Sequence, residues 1–182
     1  MICSLCPKGC NAKRDENENL TGFCKMPLQP RVARAALHFW EEPCISGKNG
    51  SGTVFFSGCN LNCVFCQNYG VSHGGYGKAV TYKRLADIFK ELEEKGAENI
   101  NLVTPSHYYY AVIKALDIYK PKIPIVYNTG GYDTVSAIKA LKGYIDIYLT
   151  DLKYLSPERA VAYSGAEDYP DYAAASIAEE YR

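Results

Sequence analysis

The chain has no long apolar run. None of its stretches reaches the roughly 20 residues that cross a bilayer, so no membrane span is expected. It also has no surplus of either charge. Twenty acidic residues balance twenty basic ones, which leaves no basic footprint for a nucleic acid and no polybasic patch for a lipid surface. The start, "MICSLCPKGC", has no basic stretch followed by an apolar one, so no secretory signal is read there. A reducing cytoplasm is the expected location, where cysteines serve as metal ligands or free thiols rather than disulfides. Histidine is scarce: His38, His73 and His107 are the only three, and no two stand at ligand spacing. Metal chemistry therefore falls to cysteine. Of the three, His107 is the histidine to test, and the bland reading for each is a packed or hydrogen-bonded ring.

Cysteine is abundant, with eight residues in two groups and an outlier, Cys44. "SGCNLNCVFCQN" (57–68) holds Cys59, Cys63 and Cys66, and no fourth thiol follows. A structural zinc site closes its shell with four ligands. A cubane iron–sulfur cluster has four irons, so three cysteines leave one iron for another ligand. A zinc site completed by His73 or Cys44 is the rival reading, and buried space-filling cysteines are the bland one. Gly58, Asn60, Asn62 and Asn68 suit a backbone turned tightly around an inorganic core. The second group is Cys3, Cys6, Cys10 and Cys24, where four sulfurs suit structural zinc or a closed-shell auxiliary cluster, the bland reading being unligated thiols.

Composition divides the chain into three parts. Residues 1–30, with the polar run "NAKRDENENL" and three prolines, read as a cysteine-rich module without a core of its own. Residues 31–52 read as a connecting segment with mixed helical and extended signals, in which Glu41 and Glu42 are either substrate-facing or, as the bland reading, a solvated turn. From residue 53 the pattern is regular. Strands are expected at 53–57, 99–104, 123–128 and 144–150, four and no more. Helices are expected between them: one capped by Thr81 with Leu85, Ile88, Phe89 and Leu92 on one face, one over 107–120, and one over 133–142 capped by Asp133. Ser156–Pro157 opens another helix, and the alanine-rich end reads as a last one. Tyr108–Tyr110 fall on different faces, so only one or two of them can meet the sheet. Alternating strands and helices define an α/β chain on a parallel sheet. The cysteine loop and the segment "TDLKY" then both fall at carboxyl ends of strands, where such folds build their sites. Asp151 and Lys153, two apart in extended chain, point the same way; the alternative is a solvated ion pair.

Cys59-x3-Cys63-x2-Cys66, with Phe65 before the last cysteine, resembles the signature of the radical S-adenosylmethionine enzymes. The wider segments "EEPCISG", "GTVFFSGCNLNCVFCQN", "NINLVTPSHY", "IPIVYNTGGY" and "DIYLTDLKY" are similar to the branch related to pyruvate-formate-lyase activating enzymes. The resemblance covers almost the whole chain. It implies a partial (βα) barrel of about four βα units here, against six strands in the family, so the chain looks shortened at its carboxyl end with its fourth strand as a sheet edge. It implies a [4Fe–4S] cluster on the three cysteines, with S-adenosylmethionine on the fourth iron. Reductive cleavage to a 5′-deoxyadenosyl radical and hydrogen abstraction would follow, fed by a low-potential electron donor. The target by analogy is a glycyl-radical enzyme. By the same resemblance Asp151 and Lys153 contact the ribose hydroxyls and carboxylate of S-adenosylmethionine, and Asn128 and its glycine turn lie beside it, the bland reading there being a simple strand-to-helix turn; Phe65 either packs against the adenine or merely shields the cluster. The family's glycine–glycine–glutamate motif is absent at 104–107, which leaves the amino group to Thr104 or a backbone carbonyl. The competing class is a metal-binding scaffold without turnover.

Overall fold

A computed structural model describes residues 2–15 and 21–182. Residues 16–20 of the expected polar run therefore lie outside the described residues. Six strands form one sheet: β1 (Arg31–His38), β2 (Ser51–Phe56), β3 (Lys78–Ala79), β4 (Ile100–Val103), β5 (Ile125–Thr129) and β6 (Ile147–Thr150), in the order β3-β1-β2-β4-β5-β6. The strands β2, β4, β5 and β6 run parallel, each matching one expected strand to within three residues. They carry α1–α7 around them: α1 (Pro43–Ser46) before β2, α2 (Tyr69–Ser72) and α3 (Tyr82–Glu94) after it, then α4 (Tyr109–Ile118), α5 (Val135–Leu141), α6 (Pro157–Ser164) and α7 (Tyr169–Glu180). The architecture is the partial βα fold expected from the sequence, with β6 at one edge of the sheet.

The count of four strands needs correction. Two antiparallel strands extend the sheet on the other side: β1 pairs with β2 from His38↔Ser51 to Val32↔Phe56, and β3 adds two residues beyond it. Segment 31–52 thus contributes a strand to the sheet. "RVARAALH" is rich in residues that favour helix, but pairing along the whole of β2 outweighs a propensity of a few tenths of a kcal/mol per residue.

Helix starts follow local chemistry. The Thr81 side chain accepts the Arg84 N–H at 3.1 Å, and Leu85, Ile88, Phe89 and Leu92 are buried against the sheet as expected. Ser156 caps α6 in the same way, with Pro157 at its first turn. The helix expected over 107–120 opens as a 3₁₀ turn at Ser106–Tyr108 before α4 begins; Tyr108 is fully buried, while Tyr109 and Tyr110 are half-buried. Asp133 does not cap α5; Thr134 does, accepting from Ala137 N–H at 3.2 Å. The Asp133 carboxylate is turned inward instead, accepting from Thr129 Oγ1 at 2.5 Å and Tyr127 Oη at 3.0 Å. Burial pushes that carboxyl above its usual range, against the lowering effect of the hydroxyls.

The buried side chains fall into more than one cluster. Val54, Phe56, Ile100 and Leu102 join α3 and α4 in the main core. Behind the cysteine loop a second core forms from Leu61, Tyr132, Tyr154, Ala160 and Tyr169, supplied mainly by α6, α7 and the loops before them. Residues 2–15 and 21–30 contain no helix or extended strand, only the bridge Ile2↔Lys13. Arg14, 2% exposed, fastens this segment. Its guanidinium donates to the carbonyls of Pro27 at 2.6 Å, His107 at 2.8 Å and Met26 at 3.1 Å, which offsets the cost of burying a charge.

Candidate active site at the carboxyl ends of the parallel strands

A single register row crosses the parallel sheet: Phe55↔Val103↔Asn128↔Leu149. Row partners in a parallel sheet point to one side, and all four line a cavity of about 400 Å³. The loops at the carboxyl ends of these strands form its walls. Cys59, Cys63, Cys66 and Phe65 come from the loop after β2, Thr104 from the end of β4, Asn128 from β5, and Asp151 and Lys153 from beyond β6. Every residue proposed from the sequence for cluster or cofactor therefore borders one space. Glu41 and Glu42, whose bland reading is a solvated turn, border it too. Cys44 and His73 do not. Cys44 is exposed on α1, and His73 stacks on Tyr69 at 4.2 Å and meets Ser72 Oγ at 2.7 Å.

Each thiol of the loop has a donor beside it. Leu61 N–H reaches Cys59 Sγ at 3.4 Å, Ser164 Oγ–H reaches Cys63 Sγ at 3.0 Å, and Ser72 Oγ–H reaches Cys66 Sγ at 3.2 Å. Burial pushes the Cys59 thiol up, while the N–H groups of Asn62 and Leu61 and the other two cysteines modulate it. The loop is held by Asn60, whose amide donates to Tyr132 O at 2.6 Å, and Asn62 takes the left-handed conformation at φ 62°. Among the described residues no group of three or more His, Cys, Asp or Glu side chains closes on one point as metal ligands would. The donor set nevertheless fits an iron–sulfur group: three soft sulfurs on one cavity wall, each with an N–H or O–H donor, and polar side chains across from them.

The opposite wall is held just as firmly. Lys153 Nζ donates to Asp151 Oδ2 at 2.5 Å, so the pair forms, and it forms at the cavity's edge. Tyr169 of α7, fully buried, accepts Lys153 N–H at 2.8 Å, and its proton lies between the carbonyls of Gly130 at 2.8 Å and Asp151 at 2.9 Å. Gly131 sits at φ +75°, where a Cβ would meet the Asp151 carbonyl oxygen at 2.6 Å. Only glycine allows this approach of β5's turn to the β6 segment. Thr104 is the more telling outlier. A β-branched residue at φ 57° is strained, and such strain persists where the surroundings impose it. Here Thr104 N–H is tied to Asn128 O at 2.9 Å. Phe65, 55% exposed, meets Tyr154 and Tyr163 edge-on.

Sequence reasoning missed Ser72, Ser164 and Tyr169, the residues that hold the walls in place. Nothing local marks them; Ser164 lies 101 residues from the cysteine it touches.

His107 does not border the cavity. It is buried, and its Nε2 lies 2.8 Å from Ser57 O, so the ring donates to the backbone at the root of the cysteine loop. Burial, with Arg14 nearby, lowers its pKa to about 3. The unfolded chain would protonate near pH 6.5. The neutral ring thus stabilises the fold above pH 6.5, and this contribution is lost progressively as pH falls from about 6.5 toward 3. Urea midpoints for the wild type should drop over that window. His107→Gln should flatten that part of the profile, and an unchanged profile would show that His107 is not neutral and buried in solution.

An α/β sheet gathers three thiols, an asparagine and a carboxylate–lysine pair around one cavity at its carboxyl edge, a candidate site of the kind such folds build there. Comparison with known families names the class of protein: a family model of the Radical SAM superfamily matches residues 53–177, and the chain belongs to that superfamily. It is 32% identical over 178 residues to "Uncharacterized protein MJ0674" of Methanocaldococcus jannaschii, a match covering 93% of this chain and 50% of that protein. The chain thus spans about half the length of this curated relative. No solved structure matches it significantly. No helix among the described residues is long and apolar enough to cross a membrane.

Proposed function

We propose that this protein binds a [4Fe–4S] cluster through Cys59, Cys63 and Cys66 and cleaves S-adenosylmethionine reductively, using an electron from a low-potential donor. The observation that carries this reading is the convergence of all three thiols and the Asn128, Asp151 and Lys153 side chains on one cavity of about 400 Å³. Superfamily membership supplies the cofactors. When bound, the cluster supplies one electron, which breaks the sulfonium carbon–sulfur bond to leave methionine and the 5′-deoxyadenosyl radical. The chain's own work is to bind and orient. Asp151, next to Lys153, accepts from the ribose hydroxyls; Lys153 faces the carboxylate; the sheet row of Phe55, Val103 and Leu149 forms an apolar floor that keeps water from the radical.

The hydrogen donor in this reading is a backbone glycine of a partner enzyme, as in the activating-enzyme branch that the sequence resembles. Exposed Val64, Phe65 and Leu152, in or next to the lining segments, give the mouth an apolar rim on which a protein segment can rest.

Asp151→Ala tests the cofactor part. Charge-assisted hydrogen bonds contribute about 1.5–3 kcal/mol, so affinity for S-adenosylmethionine should fall about tenfold to a hundredfold with the cluster still assembled. Anaerobic calorimetry gives the affinity, and 5′-deoxyadenosine formed after dithionite reduction gives turnover. Unchanged affinity would return Asp151 to a surface ion pair. A cluster with no 5′-deoxyadenosine would favour a metal-binding scaffold.

A further inference from the structure

The N-terminal cysteines take no part in the cavity, yet the backbone around them is shaped for sulfur. Cys3, Cys6, Cys10 and Cys24 lie close enough that the other three act on the charge of Cys6, and Cys3 and Cys10 act on that of Cys24. Cys3 and Cys6 are buried at 4% and 9% exposure, in a segment with almost no apolar core. Three of the sulfurs repeat one motif. The N–H two residues further on favours the thiolate: that of Lys8 for Cys6, Ala12 for Cys10 and Met26 for Cys24. In the last two of these, the residue between the cysteine and that N–H is left-handed, Asn11 at φ 50° and Lys25 at φ 52°. Asn11 and Lys25 directly follow a cysteine, and a non-glycine residue in that conformation costs about 1 kcal/mol. Among the described residues, the regular pairing of this segment is the bridge Ile2↔Lys13, and Lys25 N–H also closes a turn on Gly22 O at 2.9 Å. At Cys10 and Cys24 the left-handed residue comes with an N–H that favours a thiolate.

We propose that Cys3, Cys6, Cys10 and Cys24 form a second metal site, a tetrahedral tetrathiolate that takes one thiophilic ion, zinc or iron. Four sulfurs with no oxygen or histidine donor select such an ion over magnesium or calcium. The sulfurs do not close on one point among the described residues, and the same is true of the Cys59–Cys66 loop, so neither set is judged by closure. Burial and the neighbouring cysteines hold the Cys6 thiol up at about 12; a bound cation reverses that balance. The ion would do for this coreless segment what Arg14 does from one side, fixing it against the root of the cluster loop. Cys24 O and Met26 lie directly over Gly58 there, close enough for an added Cβ to strike both.

The test uses cobalt(II) alone on the full chain with Cys59, Cys63 and Cys66 replaced by Ala, so that the other site is gone. Saturable binding of about one ion per chain, with the intense ligand-field and sulfur-to-metal bands of a tetrahedral thiolate site, is expected. Adding Cys6→Ser or Cys24→Ser should weaken binding at least tenfold and shift those bands. No saturable binding, or bands indifferent to both serine changes, would overturn the proposal. Should the triple variant fold poorly, elemental analysis of the parent chain decides. About one zinc, or one iron beyond the cluster, lost in Cys6→Ser while the cluster absorbance stays, supports the site and names the ion. Metal content identical in the parent and Cys6→Ser refutes it. Neither result depends on S-adenosylmethionine chemistry, so the site's failure and that of the cofactor reading are separable.

Discussion

Cys63→Ala is expected to yield a folded protein that retains almost none of its cluster iron after anaerobic reconstitution. Cys63 is the most buried of the loop's three thiols, at 7% exposure, and lies against Ser164 at 3.0 Å. A cubane with three protein ligands loses a third of its anchoring, and two thiolates with an exchangeable cofactor cannot hold it. The fold should tolerate the change. Removing one sulfur opens a small void in the second core, and the Ser164 hydroxyl still has Tyr154 Oη at 2.7 Å as a partner, so the stability cost is about 1 kcal/mol. Iron and sulfide per chain, with the charge-transfer absorbance, give the readout. Cys44→Ala is the control, since Cys44 is exposed on α1 and borders no part of the cavity. Equal iron in Cys63→Ala and wild type would mean that the loop does not hold the cluster.

The parts of this molecule that were legible in sequence are those whose physics is local. Thr81 and Ser156 cap their helices because capping needs only a hydroxyl and an N–H three residues on. The strands β2, β4 and β5 were legible as short apolar runs because Val54, Phe56, Ile100, Leu102, Ile125 and Val126 are all buried. The cysteine loop was legible as one feature because three thiols within eight residues must share one loop, and all three border the cavity. What failed depends on partners in other elements of the fold. Nothing in "RVARAALH" announces an antiparallel strand until β2 lies beside it. Asp133 looked like a cap because the hydroxyls of Tyr127 and Thr129 that draw it inward belong to the preceding strand. Arg14 reads as one more charge in a polar run, and only the carbonyls of Met26, Pro27 and His107 give it a buried seat. The site residues were placed by motif, whereas the groups that hold them were found only in three dimensions.

The N-terminal segment and the cysteine loop meet at Gly58, and Gly58→Ala is expected to damage both. Gly58 has φ +78°, and its N–H is bound to Val71 O at 3.0 Å, which keeps the peptide from turning away. An added Cβ would lie 2.4 Å from Met26 Cγ and 2.9 Å from Cys24 O. The first is the inner part of a buried side chain and the second is backbone, so neither yields easily. Left-handed strain for alanine costs about 1–2 kcal/mol, and overpacking costs about 1–3 kcal/mol more, giving a loss of about 2–5 kcal/mol. Gly96→Ala separates the two causes. Gly96 has φ +81° with nothing within 4 Å of its Cβ position, so it should show the strain alone, about 1–2 kcal/mol, with unchanged iron. Urea midpoints at constant slope measure stability, and iron per folded chain reports the loop. If the loop must shift to admit the methyl group, Cys59, its next neighbour, moves with it, and Gly58→Ala should hold clearly less iron than Gly96→Ala. Equal losses at the two glycines would show that the N-terminal segment gives way freely and does not brace the cluster loop.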